Sequence, residues 1–230
     1  MTKWLASVQS VAEAQMLLPT LPDILDMKNP AQGALGAMQL EDIKTVVDLV
    51  DNRCVTSATI GDLEMQPELI AERILAVAKT GVDYVKIGVF PDKNLKKCIE
   101  KLALTLTNNP IKVIAVLFAD NYPEQEIIDA LHQAGFVGIM VDTAFKNGKT
   151  LVDHWSREQL DNFVKQVKQH DLLCGLAGSL KIEHIAYLKQ TGTDYLGFRS
   201  ALCEKADRNS ILSVELSREV SKQFNEASSE

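Results

Sequence analysis

The sequence AKTGVDYVKIG, residues 78–88, connects the end of a predicted helix to the start of a buried strand. The preceding residues place one apolar stripe at helical spacing, made of Leu69, Ile70, Ile74, Leu75 and Val77. Gly81 stands at the C′ position, where helices commonly adopt a left-handed backbone. The same pattern of helix, glycine and strand recurs in HQAGFVGIMVD, 132–142, and KQTGTDYLGFR, 189–199. The chain is therefore built from a repeated helix-to-strand unit.

Eight apolar segments with the length of strands alternate with the helical segments. They are 3–8, 23–28, 54–61, 83–90, 111–119, 138–144, 172–178 and 194–202. Strands that are apolar on both faces are typical of a parallel sheet covered by helices. Eight units within 230 residues predict a single-domain (β/α)8 barrel over 1–230, with 224–230 as a frayed polar tail. An open doubly wound sheet is the alternative, but the chain lacks the GxGxxG turn of that fold.

The amino-acid composition restricts the kinds of partner that this protein can bind. The formal net charge of -7 argues against a nucleic-acid surface, although a locally positive pocket could hold a phosphorylated metabolite. No segment approaches the ~20 apolar residues of a membrane span, so we expect no membrane association and a cytoplasmic protein. We predict a small molecule as partner, and a homo-oligomer is also compatible with the sequence.

The cysteine and histidine spacings do not indicate a metal site. Cys54, Cys98, Cys174 and Cys203 form no CxxC pair and stand mostly in or beside apolar segments, which predicts reduced, packed thiols. The four histidines form no HExxH or HxH pattern. We therefore predict no bound metal.

Charged residues follow several strands at their carboxyl ends, where the active sites of (β/α)8 barrels lie. Asp26 and Lys28 share one face of the second strand because side chains alternate along a strand. Lys86 stands in an apolar strand, where an unpaired ammonium would cost several kcal/mol. Asp142 ends the sixth strand and Lys146 follows it. We predict that the three lysines gather at one barrel mouth.

Clustered lysines suit Schiff-base chemistry. The attacking amine must be neutral, and desolvation and neighbouring cations favour the neutral form. Asp26 and Asp142 would orient the amines and transfer protons. The alternative for each lysine is a solvated side chain or one half of an ion pair. The alternative for the two aspartates is charge compensation alone.

The segment GLAGS, 175–179, predicts an anion site. Backbone N–H groups of Gly178 and Ser179, before a predicted helix, favour a phosphate, and Arg199 on the eighth strand adds a guanidinium fork. Ser57 and Thr59 are further candidates for binding phosphate or substrate. The alternatives are an ordinary N-cap at Ser179 and an internal salt bridge at Arg199.

Five motifs read together carry a family resemblance. They are DMKNPAQGALGA, SATIGD, DYVKIG, VDTAFKNGKTL and LLCGLAGSLKIEH, spread over almost the whole chain. The chain resembles the (5-formylfuran-3-yl)methyl phosphate synthase family, which makes a furan precursor of methanofuran. The resemblance implies a lyase that condenses two glyceraldehyde 3-phosphate molecules, with loss of one phosphate and two waters and without an added cofactor.

The resemblance also implies residue roles. Lys28 becomes the Schiff-base nucleophile, Lys86 and Lys146 the other two amines, and Asp26 and Asp142 their carboxylate partners. The chain departs from the family pattern at Ser200 and Ala206, where the family has glycine. The residues alone are also compatible with a class I aldolase or isomerase acting on another sugar phosphate, or with a non-catalytic barrel that binds phosphorylated metabolites.

Overall fold

The computed structural model describes residues 1–123, 126–145 and 147–226 and contains a closed barrel of parallel strands. The strands pair in chain order, and the last pairs with the first. They are β1 Lys3–Val8, β2 Ile24–Met27, β3 Val55–Thr59, β4 Tyr84–Gly88, β5 Val113–Phe118, β6 Gly138–Asp142, β7 Leu173–Leu176 and β8 Tyr195–Phe198. The predicted (β/α)8 barrel is confirmed, because each strand lies within one of the eight predicted segments.

Helices follow each strand and cover the outside of the barrel. They are α1 Val11–Leu17, α2 Leu40–Val50, α3 Pro67–Ala78, α4 Leu95–Asn108, α5 Ile127–Gln133, α6 Leu151–His154, α7 Arg157–Lys168, α8 Ile185–Lys189 and α9 Val214–Glu226. The predicted stripe of α3 is buried at Ile70, Ile74 and Val77, whereas Leu69 and Leu75 are half-buried. Among the described residues, no helix has the length and apolar character needed to cross a membrane.

Glycines end the helical segments that precede three strands. Gly81, Gly135 and Gly192 have φ values of 91, 89 and 76°, in the left-handed region that favours glycine. The predicted C′ position is confirmed for Gly135, which follows the C-cap residue Ala134. It is wrong for Gly81 and Gly192, which stand two residues after the C-caps at 79 and 190 because each helix ends one residue earlier than predicted. Each glycine lets the chain leave the outer layer and enter β4, β6 or β8 within a few residues.

Two apolar clusters stabilise the fold. The larger packs the helices onto the outer face of the strands, and the smaller fills the inside of the barrel. The inner cluster consists of Leu5, Ile24, Ile114, Val116, Phe118 and Met140 from the strands, with Ala34 and Leu35 from the loop after β2. Because side chains alternate along a strand, Asp26 faces inward like Ile24, and Asp142 like Met140. The polar residues therefore stand above an apolar plug.

The prediction of a frayed tail from residue 224 is wrong for 224–226, which are the last residues of α9. Phe224 is buried, and its ring centroid lies 6.5 Å from that of Trp4 and 6.1 Å from that of Phe198. Burial of this aromatic side chain opposes the fraying that a polar sequence would favour. Residues 227–230 lie outside the described residues.

The four cysteines are free thiols, and three of them are buried. Burial raises the pKa of Cys174 to about 12 and the pKa of Cys98 to about 11. Such thiols stay protonated and unreactive at neutral pH.

Candidate active site

Asp26 lies at the centre of a polar cluster inside the barrel. The register of β1, β2 and β3 places Ser7 and Ser57 on either side of it. The hydroxyls of Ser57 and Ser7 donate to the carboxylate of Asp26 at 2.6 and 2.9 Å, and the ammonium of Lys86 lies 3.1 Å from Asp26 Oδ1. The carboxylate is fully buried and has three donors.

The electrostatics of this cluster keep Asp26 ionised. Burial alone would raise the pKa of its carboxyl group, but the charges of Lys86 and Lys28 and the hydrogen bond from Ser57 outweigh burial. The pKa is therefore below its ordinary value of about 4. Lys86, itself 4% exposed, is compensated by this carboxylate.

A second lysine and carboxylate pair stands higher in the barrel. The Lys28 Nζ atom lies 3.9 Å from Asp142 Oδ2, and the two residues are 8% and 5% exposed. The backbone N–H of Lys28 donates to the carbonyl of Val8, which extends the pairing of β2 beyond its last residue. Asp142 Oδ1 accepts from the backbone N–H of Thr143 at 2.6 Å. The ladder thus fixes the backbone of both residues.

The motif KNPAQGALGA forms a tight loop over the barrel, and Lys28 begins it. The Asn29 side chain accepts from the N–H of Ala31, and the Asn29 N–H donates to the carbonyl of Gly36. A Cβ at Gly36 would lie 2.2 Å from the Asn29 carbonyl, so only glycine fits. Thr59 donates to the Gly36 carbonyl at 2.9 Å. The structure therefore places Thr59 as a support of this loop.

Two aspartates hold the loops that carry the mouth residues. Asp62, after β3, accepts from the backbone N–H groups of 34–35 at 2.7 and 2.9 Å. Asp120, after β5, accepts from those of 144–145 at 2.7 and 2.9 Å. Each carboxylate thus fixes a neighbouring loop by a pair of charge-assisted hydrogen bonds. The second loop leads directly to Lys146, which lies outside the described residues.

The cavity above the inner apolar cluster is the mouth pocket. Its floor includes Leu5, Val116 and Met140, and its polar lining includes Ser7, Lys28, Lys86, Asp142, Gly178, Ser179, Arg199, Ser200 and Arg208. Within the described residues, the lining includes neither Ser57 nor Thr59. The structure thus brings together Lys28, Lys86 and Asp142, and Asp26 supports them from below.

The GLAGS turn lies at the pocket wall in an unusual conformation. Gly178 and Ser179 have φ values of 112 and 51°, so two successive residues are left-handed. The short 3-10 helix that follows, Ile182–His184, has Lys181 at its N-cap. The alternative interpretation of Ser179 as an N-cap is therefore wrong. Both residues of the turn line the mouth pocket.

Arg199 forms the internal salt bridge that was the alternative to phosphate binding. Its guanidinium donates to both carboxylate oxygens of Glu13, at 2.5 and 3.1 Å. It also donates to the carbonyls of Ser7, Arg208 and Ser210. These bonds use all five N–H groups of an arginine. The geometry gives Arg199 a structural role and leaves it no donor for a phosphate.

Sequence reasoning missed three residues that shape the site. Ser7 was detectable, because it faces inward on β1 beside Asp26. Glu13 is 4% exposed and lies on the short helix α1, where nothing in the sequence marks it as the partner of Arg199. Arg208 lies in an irregular loop and reaches the pocket only through the tertiary fold.

Known proteins are similar to this chain over almost its whole length. The family model described as 4-HFC-P synthase matches residues 4–221. The chain belongs to the 4-HFC-P synthase family. Among similar proteins of known name is the (5-formylfuran-3-yl)methyl phosphate synthase of Methanocaldococcus jannaschii, 38% identical over 216 residues, which cover 89% of this chain and 92% of that protein. The synthase of the same name from Archaeoglobus fulgidus is 35% identical over 225 residues, with coverages of 93% and 95%.

Solved structures confirm the architecture of the 4-HFC-P synthase family member. Phosphoribosyl anthranilate isomerase from Thermus thermophilus has a TM-score of 0.67 and 12% identity, over 99% of this chain and 100% of that chain. At this identity the likeness concerns the fold alone.

Two positions at which the resemblance led us to expect glycine, 200 and 206, lie after β8. Ala206 has a φ of 56°, and the preceding Lys205 has a φ of 55°. The loop thus keeps a left-handed backbone at 206 although the residue is alanine, which costs about 1–2 kcal/mol relative to an unstrained conformation. Ser200 begins a short 3-10 helix, Ser200–Leu202, and lines the mouth pocket.

Proposed function

We propose that this protein condenses two glyceraldehyde 3-phosphate molecules into (5-formylfuran-3-yl)methyl phosphate, with release of one phosphate and two waters. The reaction is that of a lyase and an early step of methanofuran biosynthesis. Membership of a family whose relatives carry the name of this synthase supports the product. The observation that carries the chemistry is a pair of lysines in one pocket, each beside a carboxylate.

Lys28 is the proposed nucleophile. The ammonium of Lys86 lies 3.1 Å from a fully buried carboxylate, whereas the nitrogen of Lys28 lies 3.9 Å from Asp142 at the pocket wall. Coulomb attraction weakens with distance and with exposure to water, so Lys28 is bound less tightly by its carboxylate. Asp142 is close enough to take part in proton transfer at the same amine.

The reaction begins when the amine of Lys28 adds to the ketone isomer of the triose phosphate, made in the same pocket, and water leaves to form an imine. The iminium withdraws electrons, so the adjacent carbon loses a proton and an enamine forms. The enamine attacks the aldehyde of the second triose phosphate, which forms the carbon–carbon bond. Asp142 and Lys146 assist cyclisation and elimination, and Lys86 balances phosphate charge or transfers protons.

The left-handed turn at Gly178 and Ser179 is the proposed backbone site for a phosphate group. Successive backbone N–H groups in a turn of this kind form an anion-binding concavity. The cavity of the mouth pocket has a volume of about 30 Å³, below the ~300–1,000 Å³ range of small-molecule sites, so binding of two triose phosphates requires side chains at the mouth to move.

The test is to trap the imine. The protein is incubated with glyceraldehyde 3-phosphate and borohydride, the adduct is mapped by mass spectrometry, and phosphate release and furan absorbance are followed. We expect an adduct on Lys28, one phosphate released per furan, and no adduct in Lys28→Arg, because arginine keeps the charge and cannot form the imine.

Other outcomes would contradict parts of the proposal. An unmodified Lys28 with undiminished turnover would remove it as nucleophile. An adduct with reversible cleavage and no furan would indicate a class I aldolase. Micromolar binding with neither adduct nor turnover would indicate a non-catalytic barrel.

A further inference from the structure

Residues 203–213, which connect β8 to α9 after the short 3-10 helix Ser200–Leu202, are held in one conformation. Arg199 donates to the carbonyls of Arg208 and Ser210 at 2.8 and 3.0 Å, and Cys203 forms an isolated bridge with Leu212. Because Arg199 is itself held by both carboxylate oxygens of Glu13, it connects this loop rigidly to α1. The backbone of residue 208 is thereby held beside the barrel mouth.

The side chain of Arg208 crosses from this loop to the loop that Lys28 begins. Its Nη2 atom donates to the carbonyls of Pro30 and Gly33. Among the described residues no acceptor is found for the N–H groups on Nε and Nη1, and the residue lines the mouth pocket. The guanidinium of this pocket-lining residue is thus anchored at Nη2, which leaves the N–H groups on Nε and Nη1 for a ligand.

The charges around Arg208 are compatible with anion binding. Burial lowers the pKa of Arg208, and the carboxylates of Asp142 and Asp62 act in the opposite direction. A guanidinium keeps its charge at neutral pH. In the same pocket, Lys28 and Lys86 each lie beside a carboxylate, and Arg199 has no N–H group left.

We propose that Arg208 binds the phosphate group of the triose phosphate substrate, together with the backbone of 178–179 and the hydroxyl of Ser200. This proposal rests on the proposed function for the identity of the substrate. Because both N–H groups of Nη2 are engaged, a phosphate oxygen would accept a single charge-assisted hydrogen bond from Nε or Nη1, with the backbone of 178–179 and Ser200 supplying further donors. Since Arg208 also contacts the loop that Lys28 begins, a phosphate at Arg208 holds the carbonyl of the triose near the nucleophile.

Binding of inorganic phosphate tests the proposal without turnover. Calorimetric titrations compare the wild-type protein with Arg208→Gln, Arg208→Lys and a matched control, Arg73→Gln, which replaces an exposed arginine on the outer helix α3. We expect about 10–100-fold weaker binding in Arg208→Gln, a smaller loss in Arg208→Lys, and no change in the control. Equal affinity of the wild-type protein and Arg208→Gln would overturn the proposal.

Imine trapping separates phosphate binding from support of the Lys28 loop. We expect Arg208→Gln to lose a much larger fraction of the adduct with glyceraldehyde 3-phosphate than of the adduct with unphosphorylated glyceraldehyde, for which only the contacts to the Lys28 loop are missing. Equal losses with both aldehydes would show that Arg208 only supports the loop, and would overturn the proposal. If no imine forms even in the wild-type protein, the proposed function fails, and the phosphate titrations still decide the role of Arg208.

A measurement on the wild-type protein tests the same proposal if the Arg208 variants fail to fold. Phenylglyoxal modifies arginine side chains, and mass spectrometry reports its rate at each position. We expect inorganic phosphate to slow modification of Arg208 and to leave exposed Arg73 unaffected. Equal rates at Arg208 with and without phosphate would overturn the proposal.

Discussion

The inside of the barrel and its mouth each contain a lysine and an aspartate, but the two regions hold them differently. The inner pair, Asp26 and Lys86, is separated by 3.1 Å, with side chains 0% and 5% exposed. The mouth pair, Lys28 and Asp142, is separated by 3.9 Å, with side chains 10% and 7% exposed. The comparison teaches that the same two residue types can form a close, enclosed ion pair in one place and a longer, more exposed one in another, where we propose that the amine reacts.

The surroundings of each pair explain the difference. Asp26 accepts from two hydroxyls besides the ammonium of Lys86, all from strands of the closed sheet. The mouth is built from loops with left-handed residues such as Ser179 and Ala206. The sheet therefore fixes both the backbone and the hydrogen-bond partners of the inner pair. At the mouth it fixes the backbone of Lys28 and Asp142, and loops form much of the surrounding wall.

The largest expected effect is on activity at the mouth. Lys28→Arg should lower furan formation by about 10³-fold or more, because residues that form covalent intermediates contribute on this scale. A steady-state assay of furan absorbance measures it, with Lys79→Arg, at an exposed position, as control. Thermal unfolding of the variant should stay close to that of the wild-type protein. If Lys28→Arg kept a tenth of the wild-type activity, Lys28 would not be the nucleophile, and the proposed functional difference between the two pairs would be wrong.

The next effect is on stability in the interior. Asp26→Ala should lower the free energy of unfolding by about 3–5 kcal/mol, because it leaves the ammonium of Lys86 buried without its carboxylate. Urea unfolding followed by circular dichroism measures the change. The double variant Asp26→Ala with Lys86→Met should recover part of the loss. A decrease below about 1 kcal/mol in the single variant would contradict the buried ion pair.

The pH dependence of stability tests whether Asp26, in the inner pair, is stabilised as an anion. The pKa of Asp26 is lower in the folded protein than its ordinary value of about 4, so its contribution is fully present above that pH. It is lost as the pH falls through the folded pKa. We expect the free energy of unfolding of the wild-type protein to fall more steeply, as the pH is lowered below about 4, than that of Asp26→Asn. Parallel pH profiles in urea unfolding would show that Asp26 is not stabilised as an anion.

The smallest effect concerns strain at the mouth. Ala206→Gly should raise the free energy of unfolding by about 1 kcal/mol, because glycine adopts a φ of 56° without the steric cost of a Cβ. Ala103→Gly, in the interior of α4, is the matched control and should lower the free energy by about 0.5–1 kcal/mol. Urea unfolding of both variants measures the change in the free energy of unfolding, which should be an increase for Ala206→Gly and a decrease for Ala103→Gly. Destabilisation by Ala206→Gly would mean that the alanine side chain contributes contacts that exceed the strain.

Local patterns predicted the barrel and much of the site. The strand segments are apolar on both faces, and Gly81, Gly135 and Gly192 mark the helix ends, so the repeated unit is visible in the sequence. Alternation then placed Asp26 inside and Lys28 on the same face. These features depend on residues within a few positions of each other.

Contacts between distant loops could not be predicted in this way. Arg199 is an attractive phosphate ligand until Glu13, 186 positions away, takes two of its donors. Arg208 carries no signal in its own segment, and only the contact with Pro30, 178 positions away, brings it to the mouth.

The sequence by itself therefore determined the closed parallel barrel and the lysines and aspartates at its carboxyl end, because hydrophobic periodicity and side-chain alternation are local properties. Only the tertiary structure decided which amine is held by which carboxylate, and that Arg199 is used up by internal contacts whereas Arg208 lines the mouth pocket. The strength of an ion pair depends on the distance between its two charged groups, and that distance is set when the sheet closes and its loops pack together.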